Sequence, residues 1–421
     1  MQIFVIDNSC FIWVFILNHY KEIEEKERLR QRSRFFSYET KGTTTCLFGA
    51  FFVFLVHIKI TWDKMTLIKK LDKLPPKKEE IETLNILRQL SKSSTALGEL
   101  KGIAKTIPNQ AMLINAVVLQ EAKDSSEIEN IITTQDELYK ALSTSNNQPL
   151  QIKEVINYRK AIFLGADIIN NQGFLRQKDI VELQKTIIEN NAGIRNMAGT
   201  VLKNDKTGEV VYTPPQEKDE IIDLLSNFLD HFNITDTEIS PLINLAILHY
   251  QFESIHPFYD GNGRTGRILN ILYLIINGLL DIPILYLSSY INDHKTEYYK
   301  LLNKVNKNGE WENWIIYMLK AVEVTSNKTV EKVNSIKGLL EKTILVAQEK
   351  ATKVYRKELI ELLFEHPYSK IEYVVKRLGV ERKAASRYLK QLEEIGILES
   401  QKIGRETIYI NTELIEILKR N

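Results

Sequence analysis

A chain of 421 residues with 56 Lys and Arg against 54 Asp and Glu has a net charge of +2, which excludes the strongly basic or acidic balance of a coat for nucleic acid or membrane surfaces. At 44% hydrophobic and 26% charged it has the composition of a globular protein with a large core, not of a disordered or fibrous chain. Cys10 and Cys46 are the only cysteines, so from Met65 onward a disulfide framework and a Cys-based metal site are both excluded, and a reducing, cytoplasmic setting fits.

Residues 1–64 differ in character from the rest of the chain. "MQIFVIDNSCFIWVFILNHY" lacks a basic leader and carries Asp7, so it makes a poor signal peptide. "LFGAFFVFLV" at 47–56 is shorter than the roughly 18–20 apolar residues that span a bilayer. The expectation is an atypical segment, translated ahead of a true start at Met65, with no membrane role. After it, apolar residues recur at helical spacing over 79–104, 109–123, 125–143, 150–170, 178–190, 217–232, 241–255, 264–277 and 292–307. The 241–255 helix is the best signalled, with Ser240 at the cap, Pro241 at the first helical position and a stripe of Leu245, Leu248, Phe252 and Ile255. Asn277 and Gly278 mark the end of the 264–277 helix.

Two stretches break the helical pattern. "GTVLKNDKTGEVVYTPP" at 199–215 reads as two short strands around a polar turn, closed by Pro214 and Pro215. In 357–421 two helices precede the longer "ERKAASRYLKQLEEIG", and "ILESQKIGRETIYIN" reads as two strands around Gly404. Three helices and a hairpin is the winged helix-turn-helix plan. "HPYSKI" at 366–371 is a helix stop at His366 and Pro367.

"HPFYDGNGRTGR" at 256–267 concentrates chemistry. Gly261 and Gly263 let successive N–H groups face one concavity, and a helix starting near Arg264 points its N-terminus there, which together make an anion site. Arg264 and Arg267 share a face of the first turn, where the helix dipole disfavours cations unless a strongly negative ligand lies between them. A polyphosphate meets that need. Asp260 supplies one hard oxygen for Mg²⁺ beside the phosphates, and His256 is a general base for an incoming hydroxyl.

These residues resemble the Fic family, whose signature is His-Pro-Phe, any residue, Asp or Glu, Gly-Asn, Gly or Lys, Arg, two residues, Arg. Every position is filled. "LYLSSYI" (285–291), "YYKLLNKV" (298–305) and "WENWIIYML" (311–319) extend the likeness over about 70–330. The resemblance implies a mainly α, Fic-type helical domain with a small β-hairpin flap, followed by the winged helix-turn-helix. It implies five parts: 1–64; an N-terminal helical region with an inhibitory helix over 65–175; a catalytic core over 176–330; a linker helix over 331–356; and the winged module over 357–421. It also implies transfer of AMP from ATP to a Ser, Thr or Tyr hydroxyl of a target protein, with self-modification included.

By that resemblance His256 deprotonates the hydroxyl, Phe258 anchors the loop, and Asp260 holds Mg²⁺. Gly261, Asn262, Gly263 and Arg264 then bind phosphates, and Arg267 holds the γ-phosphate. "SSEIEN" (125–130) is similar to the family's inhibitory pattern, so Ser125, Glu129 and Asn130 form a brake in which Glu129 pairs with Arg267. Thr200, Val201, Val211 and Tyr212 match the flap that would hold the target's backbone as an added strand. Asn292, Tyr298, Tyr299 and Asn306 are candidates for the adenine side. In the C-terminal module Arg382, Lys383, Arg387 and Lys390 cluster on one helix, with Lys402 and Arg405 in the wing, so DNA and protein both stand as partners there. The module's 12 Lys and Arg against 11 Asp and Glu do not separate the two. Alternatives are a DNA-binding regulator whose nucleotide domain acts as a sensor, a different donor, or removal of AMP. The oligomeric state is open, a homodimer included.

Overall fold

The computed structural model describes residues 70–143, 148–203, 208, 210–235, 238–403 and 406–420. The atypical 1–64 segment, Met65, Gly404 and Arg405 lie outside these. The chain begins with α1 (Lys78–Ile81), α2 (Leu84–Ala104), α3 (Gln110–Ile128), α4 (Gln135–Ser143), α5 (Leu150–Gln172) and α6 (Gln177–Ile188). The hairpin β1 (Leu202–Lys203) and β2 (Val210–Tyr212) follows, then α7 (Lys218–Asn233), α8 (Pro241–Ile255), α9 (Asn262–Ile276), α10 (Leu287–Asp293), α11 (Lys295–Asn308) and α12 (Trp311–Lys350). The last part runs α13 (Lys357–Glu365), β3 (Tyr368–Ser369), α14 (Ile371–Leu378), α15 (Arg382–Glu394), β4 (Glu399–Ile403), β5 (Glu406–Ile410) and α16 (Thr412–Lys419). The fold is mainly α, as the sequence implies.

The core is built around α8, whose bounds are those the sequence implies. Ser240 stands at its cap position without a side-chain capping bond, and Pro241 opens the helix. The expected single stripe understates its burial: 13 of its 15 residues are buried, because α2, α7, α9 and α12 all pack against it. Its core histidine is satisfied internally, whereas the buried Glu253 Oε1 has no hydrogen-bond partner. Trp314 donates to the Ala246 carbonyl at 2.8 Å and stacks on His249, whose two nitrogens meet the Tyr298 hydroxyl at 2.9 Å and the Asn270 amide at 3.1 Å. Burial pushes His249 down to about 3, so it is a neutral core imidazole. α2 lies along α12, tied by Ser93 Oγ donating to the Leu319 carbonyl at 2.7 Å.

Several boundaries depart from the periodicity. The 79–104 run breaks at Glu82, because Thr83 accepts from the Ile86 N–H and starts a new helix. The expected break near 124 is absent: α3 continues to Ile128, and the turn falls at 129–134. The 292–307 helix is two helices meeting at His294, and 331–350 is the second half of the 40-residue α12. The helix expected from Arg264 begins two residues earlier, at Asn262.

In the C-terminal part the strand order is β3-β5-β4, all antiparallel. Helix, strand, two helices and a hairpin is the element order of the winged helix-turn-helix; β3 and α16 are additions the sequence did not announce. This part rests on α3, α4 and α12. α13 packs on α3 and α16 on α12, the Tyr368 and Tyr139 rings stack, and the Tyr368 hydroxyl bonds Asp136. Among the described residues no helix is long and apolar enough to cross a membrane.

α5 and α9 approach closely at Gly165, where an added Cβ would stand 2.5 Å from Leu272 Cδ1. Gly165→Val is therefore expected to overpack this contact and cost about 1–3 kcal/mol. Chemical denaturation against the parent protein measures it.

Candidate active site

His256 closes α8 in the left-handed region, with φ 49° and ψ 58°, and its N–H donates to the Phe252 carbonyl at 3.1 Å. The chain turns there, and Phe258 drops a fully buried ring against Phe252. Asn262 holds the loop shut: its Oδ1 accepts from the Phe258 N–H and its Nδ2 donates to the Phe258 carbonyl, both at 2.8 Å. Its amide is thus committed to the loop, not turned to a ligand. Gly261 sits at φ 82°, and a Cβ there would lie 2.8 Å from Ile188 Cγ1. Only glycine meets both demands.

The N-terminus of α9 carries the charges. Arg264 is buried and its Nη1 donates to Glu154 of α5 at 2.7 Å, with Asp260 at 3.6 Å from Nη2. The Asp260 side chain is 65% exposed, so it is open to a ligand. Arg267 is almost wholly buried. Its Nε donates to Ser125 Oγ at 2.8 Å, and its Nη2 to the Ser125 carbonyl at 2.9 Å and to Glu129 Oε1 at 2.8 Å. Glu129 is the C-cap of α3, and Asn130 turns the chain away at φ 64°. Burial raises the Glu129 carboxyl, but the Arg267 charge and hydrogen bond outweigh it and hold it below the usual carboxylate range. "SSEIEN" therefore ends a helix; it does not begin one.

Glu129 reaches this point because Gly263 makes room. A Cβ at 263 would stand 2.6 Å from Glu129 Oε1. An anion already lies at the α9 terminus, and the buried Arg264 Nε has no partner. Those features fit phosphate groups. For Mg²⁺ the donor set is one open carboxylate, Asp260. Among the described residues no three His, Cys, Asp or Glu converge to hold a metal by themselves. One carboxylate plus phosphate oxygens is an ordinary Mg²⁺ environment.

Burial pushes His256 down to about 4, with the Arg195 charge adding to the effect, so the imidazole is neutral and able to take a proton at neutral pH. Beside it the hairpin pairs Leu202 with Tyr212 and Lys203 with Val210. The Tyr212 hydroxyl donates to the Ser254 carbonyl at 3.0 Å, and Gln216 holds the Thr200 carbonyl at 3.0 Å. Val201 and Val210 are exposed, and Val211 is half-buried.

The adenine-side candidates scatter. Tyr298 is 2% exposed and bonded to His249, so its ring is core packing and not a ligand wall. Asn306 accepts from Tyr250 at 2.7 Å and Ser254 at 3.2 Å, behind the last turn of α8. Tyr299 is exposed and Asn292 half-buried. Residues the sequence did not single out complete the site. Glu154 partners Arg264, Lys295 donates to the Ile128 carbonyl at the end of α3, and Arg195 holds the loop at His256. Glu121 on α3 accepts from Tyr158 at 2.9 Å and from the Ser288 N–H at 3.1 Å. Each lies far in sequence from its partner, so spacing carries no signal for it.

Three family descriptions match successive stretches: Fic/DOC family N-terminal at 87–167, Fic/DOC family at 174–274, and the C-terminal domain of protein adenylyltransferase SoFic-like at 339–414. The chain carries a Fic/DOC domain. Its Fic region is 27% identical over 146 residues to the protein adenylyltransferase Fic of Aedes aegypti, covering 34% of this chain and 27% of that one. A probable protein adenylyltransferase of Aquifex aeolicus is 38% identical over 79 residues, covering 19% of this chain and 23% of its own length. The match thus spans about a quarter of either relative's length. In structure, a Fic family protein from Desulfovibrio desulfuricans G20 superposes with a TM-score of 0.51 at 19% identity, over 80% of this chain and 98% of that one, which shows the shared fold.

Glu121 gives the site's anchoring a pH signature. Burial raises it to about 7 despite three donors. A carboxyl raised on folding contributes stability that is fully present below its unfolded pKa and lost as pH rises through the folded value. Glu121→Gln is therefore expected to lose less stability than the parent between about pH 5 and pH 8. Thermal unfolding across that range measures the difference. Parallel curves would remove Glu121 as its source.

Proposed function

We propose that this Fic protein is an autoinhibited protein adenylyltransferase, moving AMP from ATP to a Ser, Thr or Tyr hydroxyl of a target protein, itself included. The observation that carries the proposal is Arg267 clamped by Glu129 at the phosphate-binding end of α9, beside a neutral His256. The likeness to the adenylyltransferase of Aedes aegypti and the probable one of Aquifex aeolicus supports AMP as the transferred group.

In this reading the target strand lies along the flap and presents its hydroxyl to His256. The hydroxyl oxygen attacks the α-phosphorus as its proton passes to the imidazole. An O–P bond forms, the bond to the β-phosphate bridge breaks, and pyrophosphate leaves. The backbone of 261–263, the α9 terminus and Arg264 hold the phosphates. Arg267 holds the γ-phosphate once Glu129 gives way, and Mg²⁺ held by Asp260 would neutralise phosphate charge. A guanidinium whose Nε and Nη2 are held by Ser125 and Glu129 is not free to clamp a phosphate, so ATP binds in an unproductive pose. A cytoplasmic setting belongs to the same proposal.

Label from α-³²P-ATP, and not from γ-³²P-ATP, is expected on protein, and label from the γ position alone would refute AMP transfer. His256→Ala is expected to abolish labelling while nucleotide binding survives, since the base acts only in the chemical step. Glu129→Gly is expected to raise labelling by about a hundredfold, the scale set by alignment of reacting groups. Glu129→Gly with Arg267→Ala is expected to stay slow. Unchanged turnover in folded Glu129→Gly would leave the brake without support.

A second partner class is supported by the C-terminal module. Lys383, Arg387 and Lys390 of α15 are exposed, as is Lys402 in β4, a layout suited to phosphate contacts on duplex DNA. Binding of duplex DNA is expected to weaken steeply with salt and to fall in Lys383→Glu with Arg387→Glu. No salt-dependent binding in the parent would favour a protein partner.

A further inference from the structure

We propose that Arg195 is a positioning residue for the transfer step, setting the base His256 and the root of the flap in one fixed relation. The proposal rests on the adenylyl-transfer reading for its consequence and on geometry for its substance. Arg195 is completely buried. Its Nε donates to the His256 carbonyl at 2.7 Å, and its Nη2 donates to the Ile255 carbonyl at 3.3 Å and to the Pro215 carbonyl. The first two are carbonyls left open where α8 ends; the third belongs to the segment that leaves the flap. One planar fork therefore spans the base and the flap root.

The neighbouring backbone reinforces the contact. The Arg195 N–H donates to the Pro257 carbonyl at 2.9 Å, and Ile194 bridges Phe258. The Tyr259 hydroxyl accepts from the N–H groups of Asn196 and Met197 at 3.0 and 3.3 Å and donates to Asn196 Oδ1 at 2.8 Å. Residues 194–197 are thus splinted along 257–259. His256 adopts a positive φ that non-glycine residues avoid, and the fork grips the carbonyl that this conformation turns inward.

Among the described residues Arg195 has no carboxylate partner within ion-pair distance. Its charge is balanced by carbonyl dipoles at a helix C-terminus, where a cation is favoured. The groups that face His256 are Arg195, Glu129, Asp260 and the Glu253 backbone. Arg195 is the cation of that set, so it acts against protonation of the base. A lysine keeps the charge but offers one nitrogen where three carbonyls are held by two.

The test uses the full chain in the Glu129→Gly background. Arg195→Lys is expected to lower kcat for transfer by about a hundredfold, as a misplaced reacting group does, with the Kd for Mg-ATP within about twofold. Arg195→Met is expected to raise the pKa of His256 from about 4 toward its ordinary value, read by NMR titration of the ligand-free protein. That second reading needs no transfer, so it decides whether Arg195 acts on His256 even if Glu129→Gly protein transfers nothing, an outcome that would instead count against the adenylyltransferase reading. Arg195→Lys with parental kcat would overturn the proposal. So would a folded Arg195→Met protein whose His256 titrates as in the parent.

Discussion

A guanidinium buried at a helix N-terminus must have an anion, and Arg267 is placed there without a choice. The α9 dipole opposes it, burial opposes it, and only a negative group in the same hollow makes the arrangement stable. Glu129 supplies that group at 2.8 Å. The same constraint explains Gly263, which leaves the space the carboxylate fills, and Ser125, whose hydroxyl and carbonyl accept from Nε and Nη2 of Arg267. In the proposed reading polyphosphate and carboxylate are alternative occupants of one site, and the protein's regulation is the competition between them.

That competition has force only if α3 is held. Its C-terminal carbonyl is gripped by Lys295, its middle by Glu121 through Ser288 and Tyr158, and its start by the C-terminal module, where Asn109 donates to Glu365 at 3.3 Å. α3 is therefore clamped by α11, α10, α5 and α13 together. The close approach of α5 and α9 at Gly165 belongs to the same frame, since it carries Glu154 to Arg264.

Much of this frame is legible in the residues. α8 has the bounds its proline, stripe and loop announce, and the 256–267 string places glycines, arginines and an aspartate around one helix terminus. The chain order that suggests Glu129 against Arg267 is matched by a direct contact. Boundaries fail where tertiary contacts override local signals. Polar "KDSSEI" looks like a break, yet α3 continues through it to Ile128 because Ser125 and Asp124 are buried against other elements. Tyr298 and Asn306, candidates for the adenine side, serve His249 and Tyr250 instead. Arg195, Glu154 and Lys295 leave no trace in spacing, because each acts on a partner brought near only by folding.

The central claim is that Glu129 holds the place of the γ-phosphate. Calorimetric titration of ATP and of ADP, each with Mg²⁺, onto the parent protein and onto Glu129→Gly tests it without relying on transfer. With Glu129 present the γ-phosphate finds no free guanidinium, so the two nucleotides are expected to bind about equally. Without Glu129 a charge-assisted pair becomes available, and ATP is expected to gain about tenfold or more over ADP. The same ATP-to-ADP ratio in both proteins would contradict the account.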